Sequence, residues 1–180
     1  MKHVLIAAGA AMLLSGCSTM AGHNMGMGNH MAAGPMAMPT SAPAYMKMAH
    51  SGDMFEVGSS QLALQMSRNP AVRSYAQMMI NDHTRMMQAM MAMAPGMSMN
   101  MSSMPMMPHH MAMMQRLRTG GGNFDMMYKR EQMMAHQEAL MLHRTYAARG
   151  DNPTLRTMAA RAVPMIQMHM SRAAALPVRM

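Results

Sequence analysis

The sequence predicts an all-α protein, an antiparallel up-down four-helix bundle behind a flexible N-terminal tether. Three observations predict it. Apolar residues recur at helical spacing through four segments, no segment alternates as a strand would, and Gly, Pro and Asn cluster where the segments end. The first helix covers about 45–67 and stops at Arg68-Asn69-Pro70, where Asn69 can cap and Pro70 can open the next helix. The second runs over about 70–94, as far as Ala94-Pro95-Gly96. Gly120-Gly121-Gly122-Asn123 precedes the third, about 124–149. Gly150-Asp151-Asn152-Pro153 repeats the stop, cap and proline before the fourth, about 153–175. Short links at 68–70 and 150–152 make their helices antiparallel neighbours, and a long methionine-rich loop, about 95–122, joins the second helix to the third. The bundle as a whole is expected over 44–176.

The helical period assigns inward faces. Helix one offers Phe55, Ser59, Leu62 and Met66, with Glu56 at the edge of the stripe. Helix two offers Val72, Ala76, Met79, His83, Met86, Met90 and Met93. Helix three offers Met126, Met133, His136, Leu140, His143 and Ala147. Helix four offers Leu155, Met158, Ala162, Met165, His169 and Leu176, interrupted by Arg172; Pro164 removes a backbone donor there and predicts a kink. Glu56, His83, His136 and His169 are the polar groups on these apolar stripes. Counted from the short-loop end, Glu56, His83 and His136 fall within about one turn of each other, and His169 about one turn deeper. Burying a lone carboxylate is costly, so the four predict an internal cluster, supplemented by the thioethers of Met79, Met133 and Met165. Two readings fit it: a hydrogen-bonded His/Glu network that fixes register, or a metal site, which is the expectation carried forward.

The N-terminus carries an address. Lys2 precedes an apolar run, Val4 to Leu14, of signal-peptide length and too short to span a bilayer. The run ends in Leu14-Ser15-Gly16-Cys17, which looks like a bacterial lipobox. Residues 1–16 are read as a lipoprotein signal peptide, with Cys17 lipidated as the new N-terminus. Ser18, where an Asp would favour the inner membrane, favours a periplasm-facing lipoprotein of the outer membrane. Residues 17–43 are rich in Gly, Pro, Ala and Ser without period, and read as a disordered Met- and His-rich tether. Cys17 is the only cysteine, so no intramolecular disulfide or thiolate cluster exists.

Three blocks carry a family resemblance: FEVGSSQLALQMSRNPAVRSYAQMMINDH, NFDMMYKREQMMAHQEALMLHR and GDNPTLRTMAARAVPMIQMH. They include Glu56, Asp82-His83, Phe124-Asp125 with Tyr128, His136, and Pro164 with His169. Over about 45–175 the chain resembles the bacterial envelope family catalogued as domain of unknown function 4142. The resemblance implies a ferritin-like fold and no defined activity. The methionine load departs from ordinary members and resembles methionine-rich periplasmic copper proteins. Ferritin-like di-iron enzymes carry Glu-x-x-His pairs. Here Met133, Ile166 and Ile80 stand three residues before His136, His169 and His83, so that pattern is absent.

Composition narrows the function. Of 180 residues, 38 are Met, against 3% aromatic, and a plain core would use Leu, Ile, Val and Phe, which specify packing better. The net charge of +8 comes from singly scattered Arg, without basic runs or stacking aromatics, which argues against nucleic acid. No nucleophile motif or phosphate loop is present, and few acids are available for Mg or Ca. Met97, Met99, Met101, Met104, Met106 and Met107 lie in a stretch with no helical period and little expected core to enter. Soft thioethers select Cu(I), and Ag(I) by the same logic; His109 and His110 add imidazoles, which accept copper in either oxidation state. The expectation is a non-enzymatic envelope lipoprotein that sequesters or buffers copper, Cu(I) favoured, with no organic cofactor. Its expected partners are metal ions, the membrane and periplasmic copper-handling proteins, with no oligomeric state readable. The alternative is a methionine-rich oxidant scavenger or protein-docking surface around a structural His/Glu core.

Overall fold

The computed structural model describes residues 37–178. The signal peptide, Cys17 and the tether as far as residue 36 lie outside the described residues. Those described are helical or irregular, with no strand among them. Five α-helices are present: α1 (Ala42–Met66), α2 (Pro70–Met93), α3 (Pro108–Thr119), α4 (Phe124–Arg149) and α5 (Pro153–Ala174). The caps form as the sequence indicates. Asn69 Oδ1 accepts from the Ala71 amide at 2.9 Å, and Asn152 Oδ1 from the Leu155 amide at 3.1 Å, with Pro70 and Pro153 opening their helices. α5 continues through Pro164.

α3 is the first departure from expectation. The segment expected to be one long loop holds two short 3-10 turns (Ala94–Met97 and Met101–Ser103) and then α3. Pro108 fixes the first turn, and His110, Met113, Met114 and Leu117 bury one face at helical spacing. The run of Met hides this stripe in the sequence, because the residues on both faces look alike. Arg116 fastens the helix to α4 through a two-pronged ion pair with Glu131, both hydrogen bonds 2.8 Å long.

Paired residues give the helix directions. Tyr45 meets His143 and Ser60 meets Tyr128, so α1 and α4 run antiparallel. Asp82 meets His169 and Met78 meets Arg172, so α2 and α5 do too. Tyr75 meets both Tyr128 and Gln132, while His83 meets His136; numbers rise together, so α2 and α4 are parallel. The strictly alternating up-down path is therefore corrected. The chain must return between α2 and α4, and α3 is that return, with Ser51 meeting His110 and Gly58 meeting Met114 along α1.

Two apolar clusters fill the interior. One gathers Phe55, Val72, Met79, Met114, Leu117 and Tyr128; the other gathers Tyr45, Met46, Met90, Met101, Leu142 and Leu155. The crossover methionines join them. Met101 is buried, Met97, Met99, Met104 and Met107 pack against the second cluster, and Met106 against the first. The expectation that these side chains have little core to enter is thus corrected, because the crossover lies on the helices. Met66, expected inward, is 55% exposed: it falls in the last turn of α1, past the packed face.

Candidate metal centre

His83 on α2, His136 on α4 and His169 on α5 converge inside the assembly. Each offers a ring nitrogen, and the three nitrogens lie within 4.8 Å of one another. All three residues are buried, as is Glu56 on α1. Ring centroids are 5.6 Å apart for His83–His136 and 5.3 Å for each of the other two pairs. His169 is therefore level with the others, not one turn deeper, because the reach of an imidazole absorbs a one-turn offset of about 5.4 Å.

Each ring is held by its other nitrogen. His83 Nδ1 lies 2.8 Å from Asp53 Oδ1, His136 Nδ1 lies 2.8 Å from the Gln132 carbonyl and 3.2 Å from Glu56 Oε1, and His169 Nε2 lies 2.9 Å from Asp82 Oδ2. All of these partners are acceptors, so the network assigns the N–H to the anchored nitrogens. The lone pairs then fall on His83 Nε2, His136 Nε2 and His169 Nδ1. This is the orientation outer-shell acceptors impose on metal-binding histidines. His136 Nε2 and His169 Nδ1 stand 3.3 Å apart. Two nitrogens bound at about 2.0 Å in tetrahedral geometry are separated by about 3.3 Å.

Unpartnered atoms mark the same place. His83 Nε2, Glu56 Oε2 and Asp53 Oδ2 are buried with no hydrogen-bond partner. Buried polar atoms left unpaired cost about 1–3 kcal/mol each, so a cluster of them needs an explanation, and a bound cation supplies one. A small cavity opens beside them, lined by Asp53, Glu56, His83, Met48, Met86, His110, Glu138 and His143 among others; of the three clustered histidines only His83 is in its wall. It has about 20 Å³ of space for the centre of a water-sized sphere, enough for a water or an ion. Its methionines are Met48 and Met86. Met79 is buried in the first apolar cluster, Met133 packs at that cluster's margin, and Met165 lines a separate cavity.

Electrostatics keep the donors available. Burial, reinforced by the charge of His83, pulls His136 down to about 3, so its imidazole is neutral near pH 7. Burial also lowers His169, against the pull of Asp82. His83 goes the other way: burial lowers it, but the hydrogen bond and charge of Asp53 outweigh burial and raise it. Burial pushes Glu56 up to about 7.

Sequence reasoning singled out the three clustered histidines and Glu56, which is buried 3.2 Å from His136 Nδ1 but outside the group of converging nitrogens; it did not single out Asp53, and named Asp82 only with the family resemblance. Asp53 stands three residues before Glu56 on the same helix face, a spacing that signals it. Asp82 precedes His83 directly and so points to the neighbouring helix α5 rather than to α1. A second group lies on the crossover. His109, His110 and Glu138 offer ligand atoms within 4.8 Å of one another; His109 Nε2 is 3.0 Å and His110 Nε2 3.6 Å from Glu138 Oε1. Both histidines therefore belong to the first turn of a helix, not to a loop.

No curated protein matches the chain. Among solved structures, the fold is similar to that of CopM. CopM in the Cu(II)-bound form aligns with a TM-score of 0.65 at 18% identity, covering 76% of this chain and 95% of that one. CopM in the Cu(I)-bound form aligns at 0.62 and 17%, covering 73% and 91%, and the apo form at 0.62 and 17%, covering 74% and 93%. At such identities the likeness establishes a shared fold. Residues 28–176 match the model of the family described as "Domain of unknown function (DUF4142)", and the chain belongs to that family.

Proposed function

We propose that this protein binds copper as cargo and sequesters or buffers it, without catalysing a reaction on it, while anchored to a bacterial envelope membrane through Cys17. The four long helices serve as a ferritin-like bundle that holds the internal site. One observation carries the reading: three buried imidazoles, each held by an acceptor, bring ring nitrogens within 4.8 Å of one another, and His83 Nε2 is left without a partner. Imidazole and carboxylate accept Cu(II) as well as Cu(I), while the thioethers of the crossover and tether favour Cu(I) and Ag(I). CopM, which shares the fold, has been solved in Cu(II)-, Cu(I)- and Ag-bound forms. The test is metal analysis of the mature chain after loading with Cu(II) and, anaerobically, Cu(I). At least one tightly held equivalent should be lost in His136→Ala. Equal retention in both proteins would overturn the internal site. Exposed Met66, Met91, Met111, Met134, Met141 and Met168 favour a second reading, the oxidant trap. It predicts sulfoxide formation at those positions under mild peroxide, with no retained copper.

A further inference from the structure

α2 and α5 touch at Asp82–His169, but toward the C-terminal end of α2 they part around a second cavity, open to solvent past the exposed Ala89 and Arg161. Its wall consists of Met86, Ala89, Met90, His143, Met158, Arg161, Ala162 and Met165, with about 190 Å³ of space for the centre of a water-sized sphere. Four of those eight side chains are thioethers, one is an imidazole, and none is a carboxylate. Two helices supply two methionines each: Met86 and Met90 one turn apart on α2, Met158 and Met165 two turns apart on α5. Here long, unbranched side chains line space they do not fill.

We infer that this cavity is a separate soft-metal site, taking Cu(I) or Ag(I) through Met86, Met90, Met158, Met165 and His143. The inference rests on the reading of the protein as a copper binder and adds a second site, of different ligand class, to it. Thioether sulfur is neutral and polarisable, so it favours a monovalent soft ion; oxygen-seeking divalent ions find no anionic donor in this wall. The Arg161 guanidinium in the lining disfavours a second positive charge more strongly than a first. His143 supplies the fifth donor. Tyr45 Oη lies 3.0 Å from its Nδ1 and fixes the ring, so Nε2 is the nitrogen that can face the cavity. His143 and Met86 also line the small cavity beside Glu56 and His83. The two pockets therefore share two lining residues.

The test uses the mature chain labelled with 13C at the methionine methyls, titrated with Ag(I), which needs no reductant. The first equivalent should shift the methyl signals of Met86, Met90, Met158 and Met165 before those of exposed Met66 and Met111. Replacing Met90, Met158 and Met165 by Leu keeps the volume and removes three of the sulfurs, while Met86, which also lines the small cavity, stays in place. That variant should bind the first Ag(I) at least about tenfold more weakly while keeping its helicity and its Cu(II) equivalent. His136→Ala should do the reverse, losing Cu(II) and keeping the first Ag(I). Unchanged first-equivalent Ag(I) affinity in the Leu variant, or first shifts confined to other methionines, overturns the soft site. Loss of Cu(II) binding from both proteins would count against the internal centre alone. If the Leu variant fails to fold, the order of methyl shifts in the wild type decides.

Discussion

Replacing His83 with Ala separates a metal centre from a structural network, and the structure sets the size of the effect. The His83 and Asp53 side chains are 3% and 4% exposed and meet at 2.8 Å. Asp53 Oδ2 has no partner even in the wild type, so His83→Ala leaves both carboxylate oxygens without one. Breaking a buried pair from one side costs about 3–5 kcal/mol. If Asp53 takes up a proton instead, the loss drops toward the 1–3 kcal/mol of an unsatisfied polar group. About 3 kcal/mol is the expected loss for the apo protein at pH 7, read from urea unfolding. At about 3 °C per kcal/mol this lowers Tm by about 9 °C. Removing Asp53 as well should restore part of it, because deleting both partners leaves no orphan. Metal gives the second readout. A ligand present at a hundred times its Kd adds about 2.7 kcal/mol. Wild type should show that increment with Cu(II), and His83→Ala should show little of it. An apo variant as stable as wild type would refute the burial argument. An undiminished Cu(II) increment would refute the assignment of His83 Nε2 as a donor.

Glu56→Gln should stabilise the apo protein at pH 8 by about 1–3 kcal/mol, because burial raises the folded pKa of Glu56 to about 7 and the folded state then binds more protons than the unfolded chain between about 4.5 and 7. That cost appears as pH rises through the window, so the advantage of Gln should vanish below about pH 4.5. His136 has the opposite sign: held near 3 by burial and by the charge of His83, it makes apo stability fall as pH drops from about 6.5 toward 3. Urea midpoints across pH for wild type, Glu56→Gln and His136→Ala should show both slopes. Arg116→Ala strands the buried Glu131 carboxylate and should cost about 3 kcal/mol, with faster amide exchange over 108–119. Leu at Met97, Met99, Met101, Met104, Met106 and Met107 should cost less than about 1.5 kcal/mol and lower Cu(I) capacity; unchanged capacity would favour a packing role for the crossover. Cys17→Ser should abolish lipoprotein processing and membrane retention, checked by fractionation.

Helix ends were legible because they are written in local chemistry. Asn69-Pro70 and Asn152-Pro153 need only their own neighbours to cap and start a helix. α3 was not legible, because its signal is a contrast between apolar and polar faces, and a segment made largely of Met has little contrast. The return path of the chain was hidden for a related reason: a long connection fixes no direction until its own contacts are known, and those lie in Arg116–Glu131 and Ser51–His110. The candidate site was half legible. His83, His136, His169 and Glu56 stand out as polar residues on apolar stripes. Asp53 and Asp82 do not, because an acid near the edge of a helical face looks like ordinary solvated charge until a partner helix closes over it.

The anchors decide what the site is for. A protein that needs only a stable interior gains nothing from Asp53, which brings burial cost and leaves Oδ2 unpaired. Replacing His83 and Asp53 together by packed apolar residues would be neutral or favourable for folding. The arrangement makes physical sense where the donors must be held ready before the ligand arrives. Asp53, Gln132 and Asp82 each take one ring N–H, which leaves the opposite nitrogen as a base in a fixed direction. At His143 the Tyr45 hydroxyl, which can accept or donate, meets Nδ1 at 3.0 Å at the margin of the thioether cavity. The interior thus divides its donors by hardness. Nitrogen and carboxylate oxygen predominate between α1, α2, α4 and α5, where Met48 and Met86 join them, while sulfur predominates between α2 and α5, and His143 lines both pockets. On the proposed reading of the protein as a copper binder, such a division would suit an ion met in both oxidation states.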